Sequence, residues 1–260
     1  MGSVPFFVFM DNPLCLTSTD STNVDAFKLA LEGVKHGFGV LAATQHAGKG
    51  RLGKSWISPA DTGLYCSIIL RPALPFTEFP KITLTAGLAL CTAVETLLPH
   101  VPFGLKWPND LYSNGRKCGG ILVESSSPTS LGESTFVVVG IGMNVNTPLS
   151  VFPPELQEKA TSLRILSGND FDIRQLYCRI HKILLEQVDT HVSTGFGQIL
   201  KEWRKRDVLL GKEMQWVTGD KKVITARGMG PDANGQLLAR DSSGKVYEIL
   251  SGDVQLAVEK

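Results

Sequence analysis

A chain of 260 residues, 43% of them hydrophobic, can bury one large core, or a large core with a small appendage. Its 26 Lys and Arg against 25 Asp and Glu leave a net charge of +1, which excludes the broad basic surface of a general nucleic-acid binder. The five cysteines (15, 66, 91, 118 and 178) include no C-x-x-C pair, and the five histidines show no metal-ligand spacing. The thiols read as reduced packing residues of a cytoplasmic protein, and no metal-ligating residue is assigned.

The apolar stretch at 4–10 predicts a buried strand. It is too short to span a bilayer and has no basic segment ahead of it, so neither membrane insertion nor export is expected. Residues 19–23 open a helix, with Thr22 and Asp25 as a capping box and Val24, Phe27, Leu31 and Val34 on one face. Ser21, Thr22 and Asn23 either cap this helix or fix a polar ligand at its N-terminus, and both roles are compatible.

Gly37 and Gly39 turn the chain into a strand at 40–44, which delivers it to a glycine-rich basic loop. There Lys49, Arg51 and Lys54 alternate with Gly48, Gly50 and Gly53 between Gln45 and Trp56. Glycine lets the backbone approach a ligand closely, so three cations on this segment suit a phosphate or carboxylate. Residues 48–55 also fit the P-loop pattern G-x-x-x-x-G-K-[ST]. Pro59 and Gly63 interrupt the helix that a P-loop needs next, and the match is read as accidental.

A strand at 64–70 precedes a helix at about 79–98, whose core side carries Ile82, Ala86, Ala89, Ala93 and Leu97. A short strand at 103–106 enters Trp107, Pro108, Asn109 and Asp110. A hairpin then turns on Asn114 and Gly115, with Lys117, Gly119 and Gly120 on its return arm. Residues 136–141 are an apolar strand, and three helices are predicted at 154–163, 173–191 and 196–206. From residue 209 short β segments at 216, 223–225, 237–238, 246–247 and 254–257 alternate with glycine turns, the texture of a small SH3-like antiparallel barrel. The expected fold class is α+β: a central mixed sheet with packing helices in residues 1–208, and the barrel in 209–260.

Taken in order, Asp20-Ser-Thr-Asn23, the Gln45 to Trp56 loop, Lys106-Trp-Pro-Asn-Asp110, Arg116-Lys117 with Gly120, and Gly140-Ile-Gly-Met-Asn144 resemble the biotin–protein ligases. The likeness covers nearly the whole chain. It implies a class II synthetase-like catalytic fold and the monofunctional type, since the sequence shows no winged helix-turn-helix before residue 4 and repression is not expected. The implied reaction has two steps. ATP activates biotin to biotinyl-5′-adenylate, and a lysine of a biotin carboxyl carrier domain of a biotin-dependent carboxylase then takes the acyl group. Mg²⁺ is expected on the phosphates.

By the same resemblance, Lys117 and Arg51 are the catalytic cations. Two anions must meet, so positive charge has to lie between them. Biotin is assigned to Ser21, Thr22, Asn23, Gln45, Gly48, Lys49, Gly50, Arg51, Lys117, Gly119 and Gly120. ATP is assigned to Lys49, Arg51, Trp56, Asn109, Lys117 and Asn144. Asp110 either holds Lys117, binds a metal-bound water, or caps the turn after Pro108. Lys49 departs from the family, which usually has Arg there, so bidentate geometry at that position is lost. The loop at 48–55 is expected to be mobile without ligand and to order over biotin or the adenylate. A homodimer through the central sheet is compatible with the resemblance. The alternatives are a lipoate–protein ligase and a non-catalytic anion-binding module.

Overall fold

The computed structural model describes residues 12–126, 135–218 and 222–249; the strands predicted at 4–10 and 254–257 lie outside the described residues. The central layer contains β1 (Leu14–Leu16), β2 (Gly39–Ala42), β3 (Gly63–Leu70), β4 (Phe103–Lys106), β5 (Asp110–Ser113), β6 (Arg116–Ser125) and β7 (Val137–Asn144). They form one sheet in the order β1-β2-β3-β7-β6-β5-β4. Only β1 and β2 run parallel, so the sheet is mixed as expected.

The alternation of side chains across this sheet decides where a ligand can sit. Along β3, Leu64, Cys66, Ile68 and Leu70 point into the main core, beneath α2 (Ile82–Leu97) and α4 (Ile173–Thr194). Ile69 points the other way, packing with Ala26, Ala30 and Val40 under α1 (Thr22–Leu31). In β7 the same rule sends Val137, Val139, Ile141 and Met143 into the main core. Gly140 and Gly142 therefore fall on the α1 face. They lie beside Ser67 and Tyr65 of β3 and Leu122 and Gly120 of β6. A strip of small residues on an otherwise filled face leaves a hollow.

Helix α1 differs from its predicted form. Its buried residues are Thr22, Asn23, Ala26 and Ala30, while Leu31 is 62% exposed. The expected capping box is absent too, because Asp25 takes the Thr19 hydroxyl and the Thr22 N–H is met by Gln45 Oε1 at 2.9 Å. Thr22 and Asn23 are buried at the N-terminus because they face the hollow, while Phe27 and Val34 of the predicted face still pack on the cluster beneath the helix.

The helix predicted at 154–163 does not form. Pro154–Leu156 makes one 3₁₀ turn, after which the chain runs along β6: Lys117 donates to the Lys159 carbonyl at 2.8 Å, and Thr161 donates to the Lys117 carbonyl at 2.9 Å. Helix α3 (Leu163–Ser167) starts only where the Ser162 hydroxyl caps the Ile165 N–H at 3.1 Å. The other predicted helices are present as α4 and α5 (Phe196–Arg204).

Beyond α5, β8 (Glu213–Val217), β9 (Val223–Pro231), β10 (Leu237–Arg240) and β11 (Val246–Glu248) form a separate antiparallel sheet in sequence order, consistent with an SH3-like unit. The connection to it covers the free edge of β4, where Leu105 pairs with Arg206 and Val208. The Trp107 indole donates to the Gly235 carbonyl at 2.9 Å, which joins the second sheet to the end of β4.

Candidate active site

The hollow on the α1 face is a cleft of about 200 Å³. One wall is the basic loop. It folds as a tight hairpin, with Gly50 N–H on the Lys54 carbonyl at 2.6 Å and Trp56 N–H on the Gly48 carbonyl at 2.8 Å. At its tip Leu52 has φ 55° and is 73% exposed, a left-handed backbone that a branched side chain adopts only under strain. Gly48 is required lower down, since a Cβ there would stand 2.5 Å from the Trp56 carbonyl oxygen.

The opposite wall comes from β5 and β6. Lys117 Nζ lies 2.6 Å from Asp110 Oδ1 and 5.4 Å from the Trp56 ring centre. Gly120 keeps the space beside this pair open, because a Cβ there would lie 3.3 Å from Lys117 Nζ. Arg51 reaches across from the loop and donates through Nη1 to Asn109 Oδ1 at 3.3 Å. Burial draws the Arg51 guanidinium below its ordinary value, and the nearby Asp110 carboxylate opposes that. Asn109 is itself held through Nδ2 on the Ile121 carbonyl at 2.8 Å. Two cations from distant parts of the chain thus line one cleft.

The floor depends on the two glycines of β7. A Cβ at Gly142 would stand 2.5 Å from Trp56 Cε2, so the indole lies flat on bare backbone. Its Nε1 is buried without an acceptor among the described residues. A Cβ at Gly140 would overlap Asn23 Oδ1.

The polar end is built by α1 and Gln45. Gln45 Oε1 accepts from the Thr22 N–H at 2.9 Å and lies 3.2 Å from Thr22 Oγ1, while its Nε2 donates to Ser58 Oγ at 2.9 Å. These bonds orient the amide and leave its second N–H available. Asn23 Nδ2 donates to Glu124 Oε2 at 2.8 Å and to the Leu122 carbonyl at 3.3 Å. Ser67 Oγ lies 2.8 Å from Thr22 Oγ1 and 2.6 Å from Asn23 Oδ1.

Among the residues assigned from the sequence, Ser21, Thr22, Asn23, Gln45, Lys49, Gly50, Arg51, Trp56, Asn109, Lys117 and Gly120 line this cleft. Gly48, Gly119 and Asn144 are not part of its lining. Gly48 packs behind the loop. A Cβ on Gly119 would face the Gly142 carbonyl and Leu90, on the core side. Asn144 donates to the Thr161 carbonyl at 3.0 Å and fastens the segment that replaces the missing helix. Sequence reasoning missed Ser58, Ser67 and Glu124. Only their positions opposite α1 and Gln45 reveal them, and the one available signal was a serine inside the apolar run of β3.

Residues 15–144 match the model of the Biotin/lipoate A/B protein ligase family. The chain belongs to this family. It is 32% identical to the Bifunctional ligase/repressor BirA of Bacillus subtilis (strain 168), over 91% of this chain and 71% of that one. It is also 32% identical to the Biotin--[acetyl-CoA-carboxylase] ligase of Paracoccus denitrificans, over 88% of this chain and 95% of that one. Among solved structures of the family, the biotin protein ligase from Aquifex aeolicus in complex with biotin and ATP superposes with a TM-score of 0.79. That pair is 30% identical, covering 96% of this chain and all of the other.

Proposed function

We propose that this member of the biotin/lipoate ligase family is an ATP-dependent biotin–protein ligase. A carboxylate oxygen of biotin attacks the α-phosphorus of ATP, and the bond to the β-phosphate oxygen breaks with its electron pair leaving on pyrophosphate. The ε-amine of an acceptor lysine then attacks the acyl carbon of biotinyl-5′-adenylate. The bond to the phosphate oxygen breaks, AMP leaves and the nitrogen loses a proton. The acceptor is a biotin carboxyl carrier domain, as the carboxylase named for the Paracoccus relative suggests.

One observation carries this reading: Arg51 and Lys117, from separate segments, line the same cleft as the polar set of Thr22 and Gln45. Lys117 suits the bridge between carboxylate and α-phosphate, and Arg51 the phosphate clamp. Both offset charge that concentrates as the two anions meet. The polar end suits a cyclic urea, which carries both N–H donors and a carbonyl acceptor. Trp56 and Asn109 suit the nucleotide. Magnesium fits the protein's own side chains poorly. Among the described residues no three His, Cys, Asp or Glu side chains converge, and Asp110 is engaged by Lys117. Such an ion would be held by the phosphates.

The division into a catalytic unit at 1–208 and a barrel at 209–260 belongs to the same proposal, supported by the two separate sheets. A cytoplasmic location is supported by five free cysteines, three of them buried. No helix among the described residues is long and apolar enough to cross a membrane.

The deciding test is ATP–pyrophosphate exchange with biotin or lipoate as the acid. Exchange that depends on biotin is expected. Exchange supported by lipoate alone makes this a lipoate ligase, and no exchange with either leaves a binding module.

A further inference from the structure

Ser67 is fully buried in β3, beneath the polar end of the cleft, and does not line it. Its hydroxyl has one proton and two oxygen neighbours, Thr22 Oγ1 at 2.8 Å and Asn23 Oδ1 at 2.6 Å. The choice between them follows from the rest of the network. Both hydrogens of Asn23 Nδ2 are committed, to Glu124 Oε2 and the Leu122 carbonyl, which turns Oδ1 toward Ser67. An amide oxygen can only accept. Ser67 therefore donates to Asn23, at the shorter of its two distances, and its own lone pairs are left to receive the Thr22 proton.

That direction has a consequence for the cleft. Thr22 Oγ1 is also 3.2 Å from Gln45 Oε1, and its single proton cannot serve both neighbours well. With the proton drawn inward, Gln45 Oε1 keeps only the Thr22 backbone N–H at 2.9 Å. Both oxygens then present a lone pair along one wall. Two acceptors side by side need a donor from outside, and a ring N–H supplies one.

We propose that Ser67 is a positioning residue that draws the Thr22 proton inward, leaving Thr22 Oγ1 and Gln45 Oε1 as paired acceptors for a ring N–H of the acid substrate. This rests on the biotin ligase reading and deepens it. Without the Ser67 hydroxyl, the Thr22 proton turns to Gln45 Oε1, one acceptor on the wall is lost, and Asn23 Oδ1 is buried without a donor. Losing one acceptor for the ring N–H weakens binding of the acid roughly tenfold.

The test compares wild type, Ser67→Ala and Ser67→Cys in biotin-dependent ATP–pyrophosphate exchange, with urea melts to check folding. Cysteine preserves the packing but is a weak hydrogen-bonding group. Both variants are expected to raise the KM for biotin about tenfold while moving the KM for ATP less than about twofold. Biotin methylated at the ring nitrogens, which offers no N–H, should bind the variants and wild type alike. If Ser67→Ala does not unfold cooperatively, Ser67→Cys carries the comparison. A Cys variant with wild-type KM would reduce Ser67 to packing, and a parallel rise in both KM values would reduce it to general support; either overturns the inference. Absence of exchange in wild type would instead remove the ligase reading itself.

Discussion

Lys117 and Asp110 face each other across neighbouring strands at 2.6 Å, and the lysine is still 32% exposed to the cleft. The pair aims the ammonium without burying it, so a second anion can approach from the open side. Such an ion pair, partly open to solvent on the lysine side, adds only about 1 kcal/mol to stability. Lys117→Ala is therefore expected to leave the urea midpoint nearly unchanged while lowering pyrophosphate exchange by roughly 10²–10³-fold, the scale for removing one preorganised charge. A variant that melts normally and exchanges at near wild-type rate would take Lys117 out of the chemistry.

The basic loop presents three trypsin sites in a row. Lys49 and Lys54 are exposed, Arg51 is half-buried, and the strained Leu52 stands out into solvent. Beyond the short hairpin bonds, Arg51 ties this loop to the opposite wall through Asn109, and Lys117 lies over Trp56 at its end. Ligand in the cleft should recruit the loop cations and suppress its opening. Biotin with ATP is expected to slow tryptic cleavage between residues 49 and 54 by on the order of tenfold. Equal cleavage with and without ligand, followed by mass spectrometry, would show that the loop does not close.

The chemistry of this protein was more legible in its sequence than its geometry. The loop cations stand out as three basic residues among glycines, whereas Gln45, Lys117 and Gly120 are assigned through the resemblance to the biotin–protein ligases; the structure brings all of them to one cleft, though not Gly48 of the loop. The α1 face is legible only in part: Phe27 and Val34 pack on the cluster as expected, but Leu31 is exposed and the helix also buries Thr22 and Asn23, which hydrophobic periodicity does not mark. The helix expected at 154–163 failed for a similar reason, since Lys159 and Thr161 gain backbone bonds to Lys117 that local propensity cannot foresee. Ser67 meets Asn23 across 44 residues and Glu124 meets it across 101, pairings that exist only once the sheet is assembled.

The alternation that leaves Gly142 on the α1 face predicts a sharp size limit there. A methyl group would stand 2.5 Å from Trp56 Cε2 and 2.6 Å from its Nε1, so the indole must leave its seat. Overpacking of this kind costs about 1–3 kcal/mol. In Gly142→Ala the displaced ring should raise the KM for ATP about tenfold and change the tryptophan emission of the free protein. Unchanged ATP kinetics in a variant whose emission does shift would remove Trp56 from the nucleotide site.

Asp207 lies where the chain leaves α5 for the second sheet, with Oδ1 accepting the Leu209 N–H at 2.8 Å and Oδ2 buried without a donor among the described residues. Burial pushes its carboxyl up to about 6, against the opposing pull of the Leu209 and Leu210 N–H groups, Arg204 and Lys212. A folded-state value above the unfolded one means the folded protein binds the extra proton. The associated stability is complete below about pH 4 and is lost as pH rises through about 6. Asp207→Asn removes this titration. Relative to the variant, wild type should lose on the order of 2 kcal/mol between pH 4 and pH 7, read from urea midpoints across that range. A constant difference between the two proteins over the whole range would mean that Asp207 titrates like an exposed carboxylate, with water reaching it at the junction between the two sheets.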